Sequence, residues 1–154
     1  MELIWKQTDD FLTIDGDKKI ECWCEVRNEL NGKRKNAQVV YSMPDKKPYM
    51  PRVFPVGKWQ IQWPIPKTDP YMAPYFLPTN AYQYCDVWIT DARGYYVKPS
   101  GEQVKDIGYG LHFSTSTTTL GCIRIAKQDD LLYLVDKVNE ALSKKEPCRL
   151  IVTA

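Results

Sequence analysis

Apolar and polar residues alternate in short runs over the first part of the chain, and near its end apolar residues recur at three- and four-residue steps. The first pattern predicts strands. Glu2 to Gln7, Phe11 to Ile14, Lys19 to Val26 and Gln38 to Ser42 carry β-type residues, separated by turn signals at Thr8-Asp9-Asp10, Asp15-Gly16-Asp17 and Asn31-Gly32, so the chain opens as a meander of hairpins. Lys58 to Trp63 sets Trp59, Ile61 and Trp63 against Lys58, Gln60 and Gln62, the pattern of a half-buried strand that Pro64 stops. From Pro64 to Pro78 five prolines stand among Tyr71, Met72, Tyr75 and Phe76. That density predicts an irregular loop, walling a groove or covering a sheet edge. Cys85 to Thr90 and Gly108 to Phe113 read as two further strands.

The second pattern predicts one helix, Gln128 to Ser143. Gln128-Asp129-Asp130 suits its positive end; Leu131, Leu134, Val135, Val138 and Leu142 form its apolar stripe; Lys144 and Lys145 suit its negative end, and Pro147 blocks continuation. Arg149 to Thr153 returns as a strand. Many strands with one late helix predict a mainly β sandwich or barrel with a packed C-terminal helix, and 154 residues suit a single domain spanning 1–154.

Composition removes several function classes. With 44% hydrophobic and 26% charged residues the chain is of ordinary globular make-up, and a net charge of +2 is too mild to argue for nucleic acid. The one basic run, Gly32-Lys33-Arg34-Lys35-Asn36, reads as a solvated hairpin turn. No stretch of about 18 apolar residues offers a membrane span. Met1-Glu2-Leu3-Ile4-Trp5-Lys6 lacks the basic and apolar regions of a signal peptide. Cys22-Trp23-Cys24 puts both thiols on one face of a strand, as inward-facing residues. With a single histidine in the chain, a zinc set is not expected, and neither is any other cofactor. Cys22, Cys24, Cys85 and Cys148 are either reduced core residues or include a bridge; five cysteines leave at least one thiol free.

That free thiol is expected at Cys122. His112, the only histidine, stands ten positions before it in Leu111-His112-Phe113-Ser114-Thr115-Ser116-Thr117-Thr118-Thr119-Leu120-Gly121-Cys122-Ile123-Arg124-Ile125. A thiol beside an imidazole can pass it the proton and become a nucleophile. The Ser114 to Thr119 run has the character of a loop able to fold back, and Gly121 lets the backbone come close at the nucleophile. Peptide N–H groups at a Gly-Cys turn are suited to a developing oxyanion.

The string Gly121-Cys122-Ile123-Arg124-Ile125, with a hydroxyl residue two places before Gly121 and Leu111-His112 upstream, resembles the signature of the L,D-transpeptidase catalytic domain, the YkuD-like family. Pro51 to Ile61 is similar to that family's turn into a core strand, and a helix followed by a last strand is its usual ending. The resemblance covers about residues 50 to 154. It implies that Cys122 is acylated by a peptidoglycan stem peptide with His112 as base. Ser114 or a backbone carbonyl would orient the imidazole. Arg124 would border the site, either as a loop-holding ion pair or as a binder of a substrate carboxylate. Tyr109 and Trp88 are either further groove candidates or core and sheet-face aromatics, the second being the plainer reading. The implied place of work is the periplasm or cell wall, reached without a visible leader, or by a secretion machine or phage particle. Phe113-Ser114 in place of the family's Gly-Thr, Leu120 where a second histidine often stands, and the short loop between His112 and Cys122 depart from the pattern. They predict a reshaped acceptor side, with trimming or D-amino-acid exchange competing against cross-linking. The other function classes to be separated are a non-catalytic wall-binding or virion structural domain and a thiol protease unrelated to the wall.

Overall fold

Residues 1–24, 40–41, 47–49, 53–114 and 121–154 are described by the computed structural model. In chain order the elements are β1 (Glu2–Lys6), β2 (Phe11–Ile14), β3 (Lys18–Trp23), β4 (Val40–Tyr41), β5 (Pro48–Tyr49), β6 (Gly57–Gln60), β7 (Ile65–Pro66), β8 (Tyr75–Pro78), β9 (Gln83–Thr90), β10 (Tyr96–Asp106), β11 (Gly110–Phe113), β12 (Ile123–Ile125), α1 (Gln128–Ser143) and β13 (Arg149–Thr153). The protein is mainly β with one helix near its C-terminal end, as the periodicities predict. The expected Asn31-Gly32 turn, the basic run after it, the ends of the Lys19 to Val26 and Gln38 to Ser42 strands, and the Thr115 to Leu120 part of the loop lie outside the described residues.

Nine strands form one sheet in the order β6-β13-β1-β2-β3-β12-β11-β8-β7, and four form a second in the order β10-β9-β5-β4. The larger sheet curls until its ends meet: Ile61 bridges Thr79, and the Gln62 N–H donates to the Pro78 carbonyl at 2.9 Å. Most neighbours are antiparallel, but β1 runs parallel to β13 and β11 parallel to β12.

Inside the curl lie Leu3, Trp5, Leu12, Ile20, Phe54, Leu77, Leu111, Ile123, Ile125 and Leu150, all but inaccessible to solvent. The helix buries Leu131, Leu134, Val135, Val138 and Ala141 and packs against β8, β11 and β12. Each such Leu, Ile or Val side chain contributes roughly 1.5–3 kcal/mol on leaving water. The strands that carry His112 and Arg124 are thus held from behind by the helix.

Two expectations are corrected, and one strand is added. Trp63 is not on the buried face of its segment but 55% exposed, because β6 ends at Gln60 and Ile61 turns into the closing bridge. Pro64 to Pro78 is not wholly irregular: it contains β7 and β8. Pro66 sits on β7, the last strand of the sheet, and Pro78 ends β8, places where a missing N–H costs little. The long strand β10 was not foreseen, since Pro99-Ser100-Gly101 in its middle reads as a turn; its pairing with β9 shifts register there.

Candidate active site

Cross-strand register, rather than sequence spacing, assembles the site. On β3, β12, β11 and β8 the residues Trp23, Arg124, His112 and Phe76 are successive partners, and Ile65 on β7 follows Phe76. Their neighbours Cys22, Ile123, Leu111 and Leu77 are fully buried in the core, so the alternation of a strand turns this row to the sheet's other face. Cys122 precedes β12 by one residue. With Ile123 opposite Leu111, it falls beside Gly110, two residues before His112. Strand rise and spacing put such diagonal positions about 8 Å apart at Cα.

The immediate neighbours of the thiol are main chain. Sγ lies 3.8 Å from the Gly108 carbonyl, a long contact, and the Gly110 backbone favours the thiolate. Burial outweighs that help and pushes the Cys122 thiol up to about 11, with the Asp106 charge acting in the same direction. Gly110 cannot carry a side chain: an added Cβ would stand 2.4 Å from the Leu77 carbonyl and 2.5 Å from the Phe76 ring. Phe76 therefore lies over Gly110 on one side and near His112 on the other, ring centroids 6.5 Å apart.

His112 Nδ1 faces the Phe113 carbonyl at 3.1 Å. Burial lowers the imidazole pKa and the Arg124 charge lowers it further, against the main chain of Phe113 and Tyr71 and the charge of Asp69. The ring is therefore a neutral base at neutral pH. Thiol and imidazole stand as two neutral groups, not as the ion pair that proton transfer between them would make. Tyr71 and Asp69 belong to the turn between β7 and β8, so that segment comes close to His112.

The flanking residues are fixed from the core. Gly121 adopts φ +113°, which favours glycine, and its carbonyl accepts from the Cys24 thiol at 3.0 Å; Cys24 in turn accepts from the Phe54 N–H at 3.2 Å. Cys22 and Cys24 are buried, as their alternation predicts, and all five cysteines are free thiols. Arg124 is 5% exposed; its Nε donates to the Ser114 carbonyl and its guanidinium stacks 3.6 Å above the Trp23 ring. Ser114 thus serves Arg124 through its carbonyl, while the acceptor at His112 Nδ1 is the Phe113 carbonyl.

Two groove candidates lie elsewhere. Tyr109 is 2% exposed, and its ring meets Phe54 edge-on in the core. Its hydroxyl donates to Asp106 and accepts from Gln83 Nε2 at 2.8 Å; Asp106, also buried, accepts from Tyr49 as well at 2.7 Å. Burial and the Asp106 carboxylate raise the pKa of both tyrosines. Of its two readings Tyr109 takes the core one, and it ties the smaller sheet to the entry of β11. Trp88 stands on β9 in that smaller sheet, against Tyr96.

Sequence reasoning did not place Trp23, Gly110 or Cys24 at the site, and had Phe76 only as part of the Pro64 to Pro78 segment. For Trp23 a signal existed, because two inward thiols on either side of it require an outward indole. The others depend on which strands become neighbours. Among the described residues no group of three or more His, Cys, Asp or Glu side chains is placed to hold a metal ion, and no helix is long and apolar enough to cross a membrane. No family model matches the chain, and neither the curated proteins nor the solved structures give a match.

Proposed function

We propose that the protein is a cysteine acyltransferase acting on peptidoglycan stem peptides, of the L,D-transpeptidase type that the Gly121 to Ile125 string resembles. The observation that carries this reading is the register of β11 and β12, which puts Cys122 diagonal to the chain's one imidazole, next to Arg124. In the proposed reaction Cys122 Sγ attacks the carbonyl that precedes the terminal D-residue. The S–C bond forms as the C–N bond breaks, giving a thioester and a free amino acid. His112 takes the thiol proton and returns it to the departing amine. An incoming amine then gives a cross-link or an exchanged stem, and water gives a trimmed stem. Backbone N–H groups at the Gly121-Cys122 turn are the candidates to hold the oxyanion.

Because both groups are neutral at rest, substrate has to complete the pair. Substrate binding has to bring thiol and imidazole into contact and exclude water, and proton transfer then accompanies attack. The place of action on this reading is the cell wall or periplasm, reached by export, by a secretion machine or with a phage particle. The second reading, a non-catalytic wall-binding or virion domain, leads one to expect no acylation of Cys122. Incubation with a carbapenem followed by intact mass spectrometry tests the proposal: one covalent adduct is expected on Cys122 and none on Cys122→Ala. An unmodified folded protein would count against it.

A further inference from the structure

We infer that Trp23 and Arg124 form a carboxylate-binding site, the indole Nε1–H and a guanidinium Nη1–H being its two donors. Both nitrogens are buried, and among the described residues neither has a hydrogen-bond partner. A buried donor left unmade costs about 1–3 kcal/mol, and more when it is charged, so two in contact call for an acceptor. The groups that own them are stacked, guanidinium carbon 3.6 Å above the indole ring. A carboxylate takes an N–H on each oxygen at about 2.9 Å, wide enough to serve both. Arg124 keeps its Nε on the Ser114 carbonyl, which fixes the fork, while Nη1 stays unused. Trp23 as a residue is half-buried, so part of its ring reaches solvent while Nε1 does not.

The position names the ligand. Arg124 lies two residues along the strand from Cys122, about 6.6 Å at Cα. In a peptide with a free C-terminus the carboxylate is two bonds beyond the nitrogen of the last amide. A terminal carboxylate held at Trp23 and Arg124 therefore brings the last amide carbonyl toward Cys122. The ligand is then a peptide ending in a free carboxylate, and the residue released is the one whose carboxylate is held. This identification of the carrier rests on the acyl-transfer reading; carboxylate binding itself does not.

The test is a titration of the 15N-labelled full chain with N-acetyl-D-alanine and, in parallel, with its neutral amide, following the indole N–H resonance that disappears in Trp23→Phe. A saturable downfield shift with the acid and none with the amide is expected. Arg124→Lys, which keeps the charge but loses the fork, and Trp23→Phe, which keeps a ring for stacking, should each weaken binding by about tenfold or more. No shift with either compound, equal shifts with both, or undiminished binding in folded Trp23→Phe would overturn the inference. Neither arm needs Cys122 to react, so failure here leaves acylation standing, and failure of carbapenem acylation leaves this result standing.

Discussion

Burial sets the acidity of Cys122, and that fixes how fast the resting protein reacts with a simple thiol reagent. A thiol with pKa about 11 is ionised to roughly one part in ten thousand at pH 7, against about 3% for an ordinary cysteine of pKa about 8.5. The thiolate population is thus lower by roughly 300-fold. A more basic thiolate is the better nucleophile, with a Brønsted slope of about 0.4–0.5, which returns roughly tenfold over this interval. Cys122 should therefore react about 30-fold more slowly than a cysteine in a short unstructured peptide. Its rate should climb about tenfold per pH unit, without a plateau before about pH 11. The assay is modification by a small aromatic disulfide between pH 6 and 10, with the adduct at Cys122 quantified by peptide mass spectrometry. The other four cysteines are buried and serve as slow internal references. A plateau below pH 8, or a rate at pH 7 equal to that of the peptide, would refute the neutral-thiol account and restore a resting thiolate–imidazolium pair.

His112→Gln should lower carbapenem or stem-peptide acylation by about 100-fold or more while leaving the apo modification profile unmoved, since the imidazole is not among the groups that set the thiol pKa. In the unaltered protein burial holds the imidazole neutral below its ordinary 6.5, so the acylation rate should decline on acidification only below that pH. Gly110→Ala should destabilise the fold by about 1–3 kcal/mol in urea titrations, because its Cβ would press on the Leu77 carbonyl, which cannot swing away; wild-type stability would show that the strand has room to shift. With tetrapeptide muropeptides and a free D-amino acid, tripeptide and exchanged stems should rival or exceed cross-linked dimers. Dimers alone would remove the inferred effect of Phe113 and the short loop on the acceptor side.

What could be read from the sequence is what local periodicity controls. Helix α1 and strands β2 and β13 occur within the residues predicted, since a 3.6-residue stripe or a run of β-branched and apolar residues closed by turns needs no distant partner. Strand β10 was hidden by Pro99, Ser100 and Gly101, whose local preference for a turn is overridden by pairing with β9 on both sides of the irregularity. That His112 and Cys122 come to neighbouring strands was legible because a parallel pairing aligns segments close in the chain. Trp23 and Phe76 reach the same row from 101 and 36 positions away from their partners Arg124 and His112, through pairings that no local signal announces. Tyr109 was left between groove and core for a similar reason. Its partner Asp106 lies at the end of a strand in the other sheet, and that buried carboxylate claims the hydroxyl.

The most direct test of acyl transfer through Cys122 is to mix the protein with a peptidoglycan tetrapeptide stem, quench in acid, and measure the intact mass together with the released amino acid. The account predicts a protein species heavier by the acyl part of the stem, located on Cys122, and release of the terminal D-residue; both should be absent from Cys122→Ala. Folded protein that releases nothing and gains no mass, or that releases the residue equally well as Cys122→Ala, would contradict it.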